Sequence, residues 1–171
     1  MQMLHAGGME LLTDGVRRSD EDNPAGYFEY EAVKRLSSDQ SWLAHADDKA
    51  LKVIAQLVQY LPTIYQYQVI VVERDMREIM ASQTAMLDRQ GRSGPSITNE
   101  ALGQVFQSQL DRAMAWLQIQ SNIRLFNVSH RSLLESTTPA VLRLAAFFDQ
   151  RLDVEAMIDV IDPRLNRQRL V

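Results

Sequence analysis

The stretch "VIVVERDMREIMASQTAML", Val69 to Leu87, puts an arginine and a serine where they could share an anion. A β-branched apolar run ends at Glu73, Arg74 follows, and Ser82 comes eight residues after it inside a segment of helical spacing. A guanidinium offers a planar fork of donors that matches two phosphate oxygens, and a hydroxyl can add a third bond. The chemistry open to this pair is phosphate binding. The plainer alternative keeps Arg74 as a strand-end charge paired with Glu73, Asp75 or Glu78, with Ser82 a tolerated small residue.

For the two side chains to act together, a strand must end at Arg74 and a helix must begin just beyond it. Gln68 to Val72 is continuous and β-branched, the pattern of a strand buried on both faces. A helix is expected from Asp75 to about Gln90: Asp75 can cap it and Glu78 stands at the capping-box spacing. Its packing face is Ile79, Met80 and Met86 or Leu87. Thr98 to Gln120 reads as a long helix with Leu102, Val105, Phe106, Leu110, Met114 and Leu117 on one face. "GRSGPS" between these helices reads as a loop. "IRLFNVS" is the last strand, followed by helices near Pro139 to Asp149 and Val154 to Ile161.

Upstream, Met1 to Ala6 reads as a helix end closed by Gly7-Gly8, and "MELLTDG" as a short strand and turn. From about Tyr30 a helical stretch places Val33, Leu36, Trp42 and Leu43 on its apolar side, and Leu51 to Ala55 reads as another strand. Strands alternating with helices imply an α/β fold of right-handed βαβ units with a mostly parallel sheet. Ligands of such sheets bind beyond the carboxyl ends of the strands, which is where Arg74 stands.

The totals limit the alternatives. A chain of 171 residues suits one domain, taken here as 1–171. It has no apolar run near the roughly 18 residues that cross a bilayer and no cysteine, its first residues do not read as a secretory leader, and the expected location is cytoplasmic. Without cysteine there are no disulfides, thiolate metal sites or cysteine nucleophiles. A net charge of −4 argues against general nucleic-acid binding while allowing a local basic pocket. His5, His45 and His130 match no metal spacing, so each reads as an ordinary surface or capping histidine and no metal is expected.

The segment "VVERDMREIMAS" resembles the 3′-phosphate-binding segment of the P-loop sulfotransferases, whose strand ends in Arg-Asp/Asn-Pro with a serine eight residues after the arginine. Arg74 and Ser82 match it in type and spacing, and Met76 replaces the usual proline, which suits the first helical turn without being required there. "AGGMELLTDGVRRSDEDNPAGYFEYEAVKRL" is similar to bacterial sulfotransferase-like proteins with an Asn-Pro-x-Gly-Tyr-x-Glu pattern. "KALKVIAQLVQYLP" and "LFNVSHRSLLESTTPAVLRLAAFFD" extend the likeness over nearly the whole chain.

The resemblance implies a three-layer, P-loop NTPase-like fold and a co-substrate, 3′-phosphoadenosine 5′-phosphosulfate (PAPS), whose 3′-phosphate Arg74 and Ser82 would hold. It implies sulfuryl transfer to a hydroxyl or amine of a small molecule, lipid or sugar. The family's glycine-rich phosphosulfate loop has no counterpart, since Gly7-Gly8 lacks a neighbouring Lys or Arg and the first strand is missing as well. The expectation is therefore a chain weak or inactive in transfer as it stands. Either the gene product is longer or the chain is a degenerate relative, and an incomplete sheet could encourage homo-oligomers.

By the same resemblance Glu29 is the leading general base, with Asp22 and Glu31 as rivals, and Lys52 would neutralise the bridging oxygen. Where many relatives carry a histidine this chain has Gln56 or nothing alignable. Tyr27, Phe28 and Tyr30 could line an acceptor pocket or belong to the core. Arg164, Arg167 and Arg169 could close over the phosphate or form a solvated tail. Glu29 equally reads as an acid at a helix start, and Lys52 as a strand end. The competing function is a non-catalytic scaffold that kept the fold. A P-loop kinase is disfavoured by the absence of a lysine loop and of a magnesium-binding aspartate pattern.

Overall fold

The β-branched run before Arg74 does form a strand, and it takes its only regular partner among the described residues from the far end of the chain. The structure, a computed structural model, describes residues 1–21, 23–89, 91, 98–149 and 151–162. In chain order the elements are α1 (Gln2–Ala6), β1 (Tyr67–Glu73), α2 (Met76–Arg89), α3 (Asn99–Gln118), β2 (Ile123–Ser129), α4 (His130–Glu135), α5 (Thr137–Phe147) and α6 (Val154–Asp159). Three 3-10 helices, Glu31–Arg35, Ser41–Ala46 and Ala55–Tyr60, lie between α1 and β1.

β1 and β2 pair in parallel, from Tyr67 opposite Ile123 to Glu73 opposite Ser129. Parallel strands need a long crossover, and here α2 and α3 supply it. Because side chains alternate along a strand, the sheet separates two apolar clusters. Val69, Val71 and Leu125 pack on a cluster around Leu36, Trp42, Leu43, Val58 and Leu117. Ile70 and Phe126 pack on the other, around Leu4, Val141, Leu144, Phe148 and Met157. The chain is thus a mixed helix-and-strand protein with a small parallel sheet. Among the described residues no helix is long and apolar enough to cross a membrane.

Several expectations need correction. "MELLTDG" and Leu51 to Ala55 are not strands; their contact shrinks to one parallel bridge, Leu11 with Ala50. Leu12 N–H donates to the Ala50 carbonyl at 2.9 Å and Ala50 N–H to the Glu10 carbonyl at 2.8 Å. The chain coils into the Ala55–Tyr60 3-10 helix soon afterwards, so no length remains for a ladder, although Leu51 and Val53 still pack inward. The stretch after Tyr30 is 3-10 rather than α-helical, broken where the Asp39 carboxylate accepts from the Ser41 N–H at 3.0 Å and hydroxyl at 2.7 Å. β1 is not buried throughout, since Val72 is 53% exposed near its carboxyl end.

On α3, Val105 faces solvent instead of the core. The helix is rotated so that Gly103 meets α2: a Cβ there would lie 3.5 Å from Met76 and 3.6 Å from Met80. Beyond Gly91, the loop "GRSGPS" lies outside the described residues, as do Asp22 and the arginines of the C-terminal segment, Arg164, Arg167 and Arg169.

Leu36 is fully buried at the centre of the first cluster. Leu36→Ala should cost about 2–5 kcal/mol through lost transfer energy and the cavity left behind. Urea denaturation would show this as a lower midpoint at unchanged slope.

Candidate functional site

The strand register decides which residues meet at the carboxyl end of the sheet. Glu73 and Ser129 are partners, so the next residues, Arg74 and His130, leave the sheet from adjacent strand ends. The two junctions are capped differently. After Arg74, Asp75 caps α2: its carboxylate accepts from the Arg77 N–H at 2.8 Å and from the Arg77 side chain at 3.1 and 2.8 Å. Bonds from the Arg77 side chain, then from its backbone N–H, hold the Asp75 carboxyl down at about 2. After β2, Ser129 caps α4 by accepting from the Ser132 N–H at 3.4 Å.

With Asp75 capping alone, Glu78 turns away from the capping-box role and toward Arg74. Its carboxylate accepts from Arg74 Nε at 3.1 Å, and Glu78 is buried, with only 6% of its surface exposed. The plainer of the two readings of Arg74 therefore describes a real contact. Ser82 sits one turn beyond Glu78 on the same stripe of α2, about 6 Å further along the axis. Glu78, not Ser82, is the α2 side chain that meets Arg74 Nε.

His130 is the residue that sequence reasoning undervalued. Its Nδ1 is buried and has no hydrogen-bond partner among the described residues. Burial, followed by the nearby Arg74 charge, pushes the imidazole below its ordinary value of 6.5, against a smaller opposing pull from Glu78. No local motif marks it. The usable signal was positional: His130 follows the end of β2 as Arg74 follows the end of β1.

The predicted catalytic pair, Glu29 and Lys52, does come together, in a separate cluster. Glu29 Oε1 accepts from Arg17 at 3.1 Å and from Lys52 Nζ at 3.4 Å, and Lys52 also donates to the Tyr27 carbonyl at 3.1 Å. The Arg17 guanidinium lies 3.4 Å over the Tyr27 ring, whose hydroxyl donates to Asp20 at 2.9 Å. Phe28 adopts a left-handed φ of 51° between them. The loop from Thr13 to Tyr30 is thus tied to the extended residues around Lys52. Glu31, the described rival base, is paired with Lys34 at 2.6 Å. Tyr30 packs edge-on against Trp42 at 5.5 Å and belongs to the core. Gln56 straps its 3-10 helix to α3 by donating to Gln109 at 2.6 Å.

A small hollow of about 70 Å³ opens between α2 and α3, lined by Met80, Gln83, Thr84, Leu87, Asp88, Asn99 and Leu102. That is far below the several hundred Å³ of ordinary ligand pockets. Compared with known proteins, the chain matches no family model, no curated protein and no solved structure.

Arg74→Met should cost about 3 kcal/mol, because it leaves the buried Glu78 carboxylate without its guanidinium. Arg74→Met combined with Glu78→Met should recover most of that loss, which a double-mutant cycle by urea denaturation would measure.

His130 supplies a pH test. Its folded value is depressed, so its contribution to stability is complete above the unfolded value of 6.5 and is lost as pH falls through that value toward the folded one. His130→Gln should flatten the decline in stability between roughly pH 7.5 and 5, a window spanning the ordinary histidine range.

Proposed function

We propose that this chain is a sulfotransferase-like protein in which Arg74 holds the 3′-phosphate of PAPS or of adenosine 3′,5′-bisphosphate. The observation that carries the reading is the position of Arg74, at the carboxyl end of a parallel strand and directly before a capped helix bearing Ser82. In parallel α/β sheets that is the ligand end. A sheet with an apolar cluster on each face is also what a three-layer, P-loop NTPase-like fold would require. In the transfer, the sulfuryl group would leave the phosphosulfate oxygen for an acceptor hydroxyl or amine. The products would be a sulfate ester or sulfamate and adenosine 3′,5′-bisphosphate. A base takes the acceptor's proton, and Glu29 beside Lys52 is the pair proposed for proton removal and charge neutralisation.

Turnover should be weak. Neither described strand-to-helix junction, Arg74-Asp75 or Ser129-His130, contains the glycines that shape a phosphosulfate cradle. Glu78 also places a negative charge on the arginine that must receive the phosphate. That pair specifically favours a second reading, a non-catalytic scaffold in which Arg74 and Glu78 lock β1 to α2.

Calorimetry with adenosine 3′,5′-bisphosphate separates the readings. Arg74→Lys keeps a cation for Glu78 but loses the guanidinium fork, and should weaken binding about tenfold or more. Ser82→Ala should weaken it about threefold to tenfold, the worth of one hydrogen bond. Absence of binding by the unaltered chain would leave the scaffold reading standing.

A further inference from the structure

The pairing of Arg74 with Glu78 presents any incoming anion with a charge-balanced site, and the orphaned imidazole beside it offers a remedy. We propose that His130 is the third arm of the Arg74 site: a bound phosphate accepts a hydrogen bond from Nδ1, and its uptake carries one proton onto the imidazole. The inference rests on the reading of Arg74 as an anion site and adds how that site acquires positive charge.

Three features support it. Buried polar atoms without partners are uncommon in native proteins and need a physical account. His130 Nδ1 is such an atom, and it stands at the carboxyl end of the sheet beside Arg74. A neutral imidazole can supply a donor at only one nitrogen, whereas imidazolium donates at both. The surrounding charges also fit. Arg74 opposes protonation and Glu78 favours it, so a dianion that neutralises Arg74 removes the main electrostatic obstacle.

Other charged groups among the described residues lie on the neighbouring elements. Arg131, on the same helix, pairs with Glu135 at 3.7 Å. Arg143 on α5 lies 5.7 Å from the Phe126 ring, Asp75 pairs with Arg77 at 2.8 Å, and Glu73 stands opposite Ser129 in the ladder. The proton comes from solvent, forms one N–H bond on the imidazole and stays there while the ligand is bound; no other covalent bond changes.

The test uses the full chain and adenosine 3′,5′-bisphosphate. Calorimetry at pH 7.5 in buffers of different ionisation enthalpy counts protons taken up on binding. A pH series with His130→Gln as baseline subtracts the ligand's own phosphate ionisation. The expected result is proton uptake by the unaltered chain in excess of that by the variant. Relative to that variant, affinity should rise about tenfold from pH 7.5 to 5.5, as a linked histidine permits.

Imidazole NMR titration of the unaltered chain gives an answer even if the variant folds poorly. The signal assigned to His130 should titrate at higher pH with ligand present, while those of His5 and His45 stay put. Binding without proton uptake and without movement of that signal overturns this inference and leaves the Arg74 site intact. Absence of any binding overturns both.

Discussion

The parallel pairing of β1 with β2 is the constraint on which the rest of the structure depends. Two strands alone are marginal in water. This pair persists because alternate side chains reach two different clusters, Val69 and Val71 toward one and Ile70 toward the other. The register then fixes more than packing. A slip by one residue would exchange the two apolar faces and displace Arg74 from His130 by about 3.3 Å, the rise of one residue in a strand. Hydrophobic burial of the sheet thus sets the geometry of the polar group at its end. The crossover is bound to the same pairing: α3 must return the chain to the start of β2, and around Gly103 it packs on Met76 and Met80 of α2 at ordinary contact distance.

Glu78 gives that polar group its tension. A buried carboxylate bonded to Arg74 Nε fixes where the guanidinium points, which favours a ligand by removing rotamer freedom beforehand. The same carboxylate repels the phosphate that the guanidinium would attract. Preorganisation and repulsion therefore come from one side chain, and the sign of the net effect turns on whether another positive charge can be recruited. His130 is the titratable group beside it, and burial, then the Arg74 charge, lower its pKa below the ordinary histidine value.

How much of this was legible in the sequence depends on how local each determinant is. β1, α2, α3 and β2 were readable because β-branched continuity, a capping Asp75 and helical spacing are properties of neighbouring residues. Leu51 to Ala55 has strand-like alternation, and Leu51 and Val53 do turn inward, but a strand also needs a partner, and beyond Ala50 none is in place among the described residues. Val105 lies on the apolar stripe of α3 yet faces solvent, since which side of the helix is covered depends on contacts between separate elements, such as those of Gly103 with α2. Arg74 could be flagged from its segment, whereas its actual partner could not be chosen among Glu73, Asp75 and Glu78. His130 was invisible as a site residue because its neighbour is fifty-six positions away in sequence and adjacent only through the strand register.

The two ionic clusters do not carry equal weight as chemistry. Around Glu29, every contact has an architectural use: Arg17 covers Tyr27, Lys52 reaches the Tyr27 carbonyl, and the Thr13 hydroxyl donates to the Glu29 carbonyl at 2.8 Å. Together they close a loop over the Lys52 segment, a sufficient reason for the residues to be where they are. Around Arg74 the contacts leave a remainder. Glu78 accounts for the arginine, but nothing among the described residues accounts for the buried nitrogen of His130. An ion pair that satisfies itself needs no ligand, while an unsatisfied buried donor or acceptor costs stability until something bonds to it. That asymmetry separates the two clusters: the contacts around Glu29 and Lys52 are self-sufficient as architecture, whereas the end of the sheet keeps a buried nitrogen without a partner among the described residues.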